Sequence, residues 1–337
     1  MAGDDASGPL RRLLGPVAWR ARWLLPALLL AGCGGDEQAP PLQRSGRLGS
    51  LRDLVLFDRA APDGPFFLDR FEATRGDFAG FAASAAGRGV VVVEEPMADA
   101  AVLPMGGIDL AQARAFATWR CCRLPRSDEW NYACTGGGRH AYPWGPIFDA
   151  ARANTGDLGV FAPLPVGTFE SGRSGDGPYD LIGNVAEWSE TVPGAWFLAD
   201  REALPSMQRA LRRTQRAPAL AAFYVPGAVV APGLLVAVAG GDAPREVLGA
   251  DFATAIADPA QLRSPLDRSN TIGVRLCTTP AELLVALASA RAEFGPDDLL
   301  QLERFGRRGN NAPVLRRALA ELALDPAARA WLAARLP

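Results

Sequence analysis

A chain of 337 residues can fold as one large domain or two ordinary ones, and either can bury a full core. Apolar residues at 49% and charged residues at 21% place it among ordinary globular proteins. Its net charge of -2, with every basic residue an arginine, leaves no electrostatic footprint for nucleic acid, so no nucleic-acid partner is expected.

In chain order, the first segment is a targeting signal. Arg11, Arg12, Arg20 and Arg22 precede a short apolar core at 23–32. That core is shorter than the ~20 apolar residues of a spanning helix and ends abruptly in small residues, so it is excluded from the fold. Leu30-Ala31-Gly32-Cys33 resembles the lipobox of bacterial lipoproteins, whose cysteine is acylated and becomes the new N-terminus. The resemblance implies a lipoprotein signal peptide over 1–33, a lipid on Cys33 and a membrane as partner. The protein would then be exported and anchored on the outer side of a bacterial membrane, in the periplasm or at the cell surface. Polar, Pro-rich residues 34–53 read as a flexible tether. Export also places Cys121, Cys122, Cys134 and Cys277 in an oxidising compartment, where they are candidates for structural bridges.

A domain spans 54–279, opening with the apolar run Leu54-Val55-Leu56-Phe57. Residues 66–72 alternate like a strand that enters a helix capped by Thr74, with Phe78 and Phe81 at helical spacing. A second helix runs to Trp119 with Asp109 as its cap and Leu110, Ala113, Phe116 and Ala117 on one face. A third follows Pro125, starting at Ser127 with Trp130 and Ala133 inward. Residues 136–183 are rich in Gly, Pro, Asp and aromatics, which predicts an ordered, loop-dominated stretch anchored by side chains such as Tyr142, Trp144 and Tyr179. Residues 195–239 read as an insertion that opens with a basic helical piece from Arg201 to Arg216, the pattern of a solvated face. From 280 to 337 the chain becomes helical, with helices at 281–294, 296–305 and 312–336. Leu315, Leu319, Leu322 and Leu324 give the last an apolar face, to be packed on the body or on a partner.

Chemistry-bearing residues are sparse. The run Gly136-Gly137-Gly138 is no phosphate loop, since neither a strand-to-helix context nor a lysine follows. With His140 as the single histidine, a multi-histidine iron site is excluded within one chain, and a Ser-His-Asp triad would have no other base. Adjacent Cys121 and Cys122 cannot easily aim both sulfurs at one metal, so they read as a vicinal disulfide or two free thiols.

Several collinear motifs then point to a family. Residues 123–134 (RLPRSDEWNYAC) resemble the "RLPTEAEWEYA" signature of formylglycine-generating enzymes, also called sulfatase-modifying factors. Tyr142-Pro143-Trp144-Gly145, Ala151-Arg152-Ala153-Asn154, residues 179–188 (YDLIGNVAEW), Gly240-Gly241 and residues 268–275 (RSNTIGVR) resemble further motifs in family order. The resemblance implies an α+β fold of the C-type-lectin-like type, low in regular secondary structure, here with a helical C-terminal appendage. It also implies a bridge between Cys134 and Cys277, two buried free thiols being the alternative.

The oxidase members hold copper(I) on two cysteines between "GGSW" and "GFR", because soft thiolates select that ion. The corresponding stretch here, 241–275, has no cysteine, so no copper is expected. Calcium is the cofactor that the resemblance implies, held by the side chains of Asp180 and Glu187 and the backbone carbonyls of Gly183 and Val185. A salt-bridged Asp and Glu in an ordered loop is the alternative. A second family calcium site starts at Asn154, with Asp157 a candidate ligand. The functional expectation is a non-oxidase module that binds a protein, peptide or glycan. An active formylglycine-generating oxidoreductase or related oxidase is the alternative.

Overall fold

Regular structure starts where apolar residues alternate between two surfaces and both surfaces are covered. The computed structural model describes residues 44–336 apart from 45, 59–60, 62, 91–99, 192–244, 252–260 and 264. Strands β1 (Leu54–Phe57) and β2 (Phe66–Asp69) lead into helices α1 (Arg75–Ala83), α2 (Leu110–Trp119) and α3 (Ser127–Thr135). Short strands β3 (Ala186–Trp188), β4 (Arg245–Leu248), β5 (Gln261–Arg263), β6 (Ile272–Gly273) and β7 (Cys277–Thr278) follow. Four helices end the chain: α4 (Pro280–Ala290), α5 (Pro296–Arg307), α6 (Asn311–Glu321) and α7 (Pro326–Ala333). The α+β architecture, low in regular structure and helical at its C-terminus, is the one expected.

β1, β2 and β7 form one antiparallel sheet, with Phe57 opposite Phe66 and Leu68 opposite Cys277. A second sheet runs β5-β4-β3-β6, with β3 and β6 parallel through Glu187 and Gly273. Because successive side chains of a strand point to opposite faces, β2 serves two cores at once. Phe66 and Leu68 join Phe57, Trp130, Cys134 and Cys277 on one side, while Phe67 meets the C-terminal helices on the other. A third cluster gathers Phe78, Phe81 and Phe116 from α1 and α2 with Trp188 and Ile272.

The helix starts follow the sequence. Thr74 accepts a hydrogen bond from the Asp77 N–H while the Asp77 carboxylate accepts from the Thr74 N–H, and Asp109 and Gln112 do the same for α2. The last predicted helix is split in two. Pro326 has no N–H to continue a helix and sits in the first turn of α7 behind the cap Asp325, which ends α6 at Glu321.

Two expectations are corrected. Residues 44 and 46–53 are not tether: Leu48 and Leu51 are buried in the core beneath α4–α6. Arg44 donates to Asp69 at 2.7 Å and to Asp77 at 2.8 Å, with Asp53 at 3.8 Å. Arg120 closes this cluster from α2's end, 3.0 Å from Asp77 and 2.9 Å from the Gly46 carbonyl. The sequence gives no sign of this because Arg44 sits among polar residues that look like linker. The bridge between Cys134 and Cys277 is not formed either: both are buried thiols in one apolar cluster, and the Cys277 thiol donates to Glu129 at 3.5 Å. The helical C-terminal appendage packs on the body, one of its two expected placements, and covers the face of β1–β2 that carries Phe67.

Replacing Arg44 with Met strands Asp69 and Asp77 without their main counter-ion. A loss of about 3–5 kcal/mol in unfolding free energy is expected by urea titration; a change under about 1 kcal/mol would show that the segment is not part of the folded domain.

Candidate functional site

The residues singled out in 179–188 converge on a buried charge cluster. The loop carrying them can turn into β3 because Asp180 (φ +53°) and Asn184 (φ +63°) adopt left-handed conformations open to polar residues with short side chains. Gly183 (φ +88°) has no such substitute: a Cβ there would lie 2.7 Å from the Asn154 carbonyl oxygen. That close approach lets the Asn184 N–H donate to Asn154 O at 2.7 Å. The Asn184 amide then donates to Glu72 at 2.7 Å and accepts from the Leu164 N–H at 2.9 Å.

Glu187 is buried on β3. Its carboxylate accepts from Arg275 Nε at 2.8 Å and from the Trp130 indole at 3.0 Å. Arg275 is itself fully buried and donates to the carbonyls of Asp69 at 3.1 Å and Tyr179 at 2.8 Å. Asp180 accepts from the Gly167 N–H at 2.6 Å, and the Val185 N–H donates to Glu72 at 2.9 Å. Of the four calcium ligands implied by the resemblance, Asp180 and Glu187 thus share one charged neighbourhood, with Gly183 and Val185 between them. Glu187 is also in a salt bridge.

Glu72 and Arg275 complete this centre and lie outside the ligand set that the resemblance implies. A carboxylate set among Phe71 and Ala73 was the available signal for Glu72, since a charge in an apolar run must find partners or stay protonated. Three buried carboxylates, Glu72, Asp180 and Glu187, face one guanidinium. Burial pushes all three up, and Asp180 reaches about 6, although the Gly167 N–H and Arg275 oppose the rise. Asp69, under Arg44, is also pushed to about 6 by burial.

An ion with hard oxygen preferences fits this surplus of buried negative charge. The buried Asn154 carbonyl Oδ1 has no hydrogen-bond partner, a further oxygen of the right kind. Among the described residues, no group of three His, Cys, Asp or Glu side chains converges as a metal cage. Asp157 is exposed, and its carboxylate accepts from Thr155 at 3.3 Å.

Of the thiols, Cys134 is near enough to this centre to feel Glu187 and Arg275. Burial raises Cys121 to about 11 and Cys134 to about 12, and moves Cys122 and Cys277 well above the usual thiol range. His140 is exposed on the loop after α3. Cys33, Gly240, Gly241 and the 201–216 piece lie outside the described residues.

Comparison with known proteins places these motifs. The family model for the sulfatase-modifying factor enzyme 1-like domain matches residues 61–278. The chain is 36% identical over 98 residues to the hercynine oxygenase of Mycolicibacterium thermoresistibile, covering 28% of this chain and 22% of that one. It is 37% identical over 97 residues to the inactive C-alpha-formylglycine-generating enzyme 2 of Bos taurus, covering 26% and 32%. It is 36% identical over 111 residues to the formylglycine-generating enzyme of Mycobacterium tuberculosis, covering 29% and 36%. The matched stretch spans 22% to 36% of these relatives' own length. Among solved structures, CarF aligns over 66% of this chain and 92% of its own at 18% identity, with a TM-score of 0.45.

The raised Asp180 carries a pH signature. Between about pH 4 and pH 6 the folded chain keeps a proton on Asp180 that the unfolded chain releases near pH 3.9. Its contribution is thus most favourable at the acid end and is lost as pH rises through about 6. In calcium-free buffer, Asp180→Asn is expected to flatten this fall by an amount on the order of 2 kcal/mol, read from urea unfolding at a series of pH values.

Proposed function

Because the chain belongs to the sulfatase-modifying factor enzyme 1-like family, we propose that it is a non-oxidase member, an exported, lipid-anchored module that binds a protein, peptide or glycan. The observation that carries this reading is the placement of sulfur. The stretch 241–275, where the oxidases hold copper, has no cysteine. Three of the four body thiols are buried, Cys122 is half-buried, and burial holds all four in the protonated form. Copper(I) needs accessible thiolates placed a few residues apart, so the residues present do not fit that ion. A relative named as an inactive formylglycine-generating enzyme 2 gives the reading a counterpart among the matched proteins.

The rival is an active formylglycine-generating or related oxidase, favoured by the identity shared with hercynine oxygenase and with formylglycine-generating enzymes. One assay separates the two. Incubated with a cysteine-containing sulfatase peptide and copper(I), the purified protein should leave the cysteine intact by mass spectrometry and show no tight copper site on titration. Conversion of the cysteine to an aldehyde would overturn the reading.

Calcium is proposed as a structural ion at Asp180, Gly183, Val185 and Glu187. Support comes from the buried carboxylates, which outnumber their guanidinium partner. At pH 7, added calcium should raise the melting temperature of the parent protein and leave Asp180→Asn unmoved; an unresponsive parent removes the ion from the account.

The anchor rests on the sequence around Cys33. No helix among the described residues is long and apolar enough to cross a membrane. Palmitate labelling of a bacterium expressing the full chain should mark the protein and vanish in Cys33→Ala. Equal labelling of both would exclude that site.

A further inference from the structure

Away from the buried charge centre, a cleft of about 540 Å³ opens beside the end of α3. One wall is the loop 136–144. The other is made by two short 3-10 turns, Ala150–Arg152 and Glu170–Gly172, with the residues that follow the second. The turns are locked together: a Cβ on Gly172 would come 1.9 Å from the Arg152 carbonyl oxygen, so only glycine allows the approach.

Arg139, Arg152 and Arg173 all line this cleft, and each is positioned through its Nε. Arg139 donates to the Gly136 carbonyl, Arg152 to Asp149 at 3.0 Å, and Arg173 pairs with Glu170 at 3.1 Å. Arg152 also donates to the Ser171 carbonyl at 3.2 Å, and Arg173 lies over the Tyr179 ring. Fixing a guanidinium by one edge leaves terminal N–H groups as a pre-set fork for an oxyanion. Asp176 is the one carboxylate among the lining residues, while Asp149 and Glu170 pair with the arginines.

A second, independent feature points to a ligand. Ser174 is 3% exposed, lines the cleft, and its hydroxyl has no hydrogen-bond partner. Buried hydroxyls are nearly always satisfied, so an unanswered one in a residue that lines a cavity leaves a donor and acceptor beside it for a ligand. Trp144 adds a fixed aromatic side. It stacks on Tyr142 at 5.6 Å with the planes 10° apart, and its indole N–H is held by the Ile147 carbonyl at 3.0 Å.

From these walls we infer that the cleft binds a small ring-bearing oxyanion, a sugar or similar ring carrying a carboxylate, sulfate or phosphate. The arginines and Ser174 take the charged group, and Trp144 takes the ring face. The cavity has room for a molecule of that size and is too large for a bare inorganic ion. No thiol lines it, so the inference stands apart from the question of oxidase activity.

Calorimetric titration of the full chain at low salt tests it with glucuronate, glucose 6-sulfate, glucose 6-phosphate, glucose, inorganic sulfate and inorganic phosphate. At least one charged sugar should bind at least about tenfold more tightly than glucose and than either inorganic ion. The charged sugar that binds identifies the oxyanion. Arg139→Gln and Ser174→Ala should each weaken that sugar about tenfold, the worth of a charge-assisted contact. Ser174→Ala should do so without lowering the melting temperature, because the hydroxyl it removes has no partner in the fold. Equal binding of glucose, inorganic ions bound as well as the sugars, no binding at all, or binding untouched by both substitutions would each overturn the assignment.

Discussion

A guanidinium with no access to water must be answered entirely by protein, and this fold is arranged around that demand. Arg275 draws its partners from the end of β2, from the loop at Tyr179 and from Glu187 on β3. Arg44 and Arg120 do the same for Asp69 and Asp77, which join β2 to α1. Asp69 links the two centres, because its side chain serves Arg44 while its carbonyl serves Arg275. In a domain with so few ladder hydrogen bonds, these charged side chains tie loops that strands would otherwise tie. Such clusters add little net stability over apolar packing, but misplacing one partner is costly, which suits them to fixing loop geometry.

The excess of carboxylate over guanidinium around Glu187 gives the same cluster a second character. Protonation and cation binding are the two ways to relieve it, and they compete for the same oxygens. The thiols pack with the apolar clusters, and Cys277 also donates to Glu129.

What was legible in the sequence was local. Thr74 and Asp109 announce helix starts because a cap needs a side chain and one turn of backbone, nothing more. The loop 179–188 was legible for a similar reason, as its backbone angles and carboxylates lie within ten residues. What stayed hidden depends on contacts far apart in the chain. Arg44 reads as linker until Asp69, Asp77 and Arg120 surround it, and Glu72 is one carboxylate among many until Asn184 reaches it. The clefted face at Arg139, Arg152 and Arg173 was equally invisible, since three separate loops supply it. The split of the last helix was missed although Pro326 marked it, because the leucine spacing runs on through the break.

The double burial of β2 also bears on the order in which the molecule can be completed. Phe67 packs in one cluster with α4–α7, residues made long after it, and Leu68 pairs with a strand that immediately precedes them. A nascent chain therefore holds this sheet face without those helices until they have been made, and contacts this distant in sequence form slowly. Any product cut short before Pro280 would lack the helices that pack with Phe67, Leu51 and Leu54. Helices α4–α7 thus act as an inspection step, since only a chain that includes them can hide this sticky face.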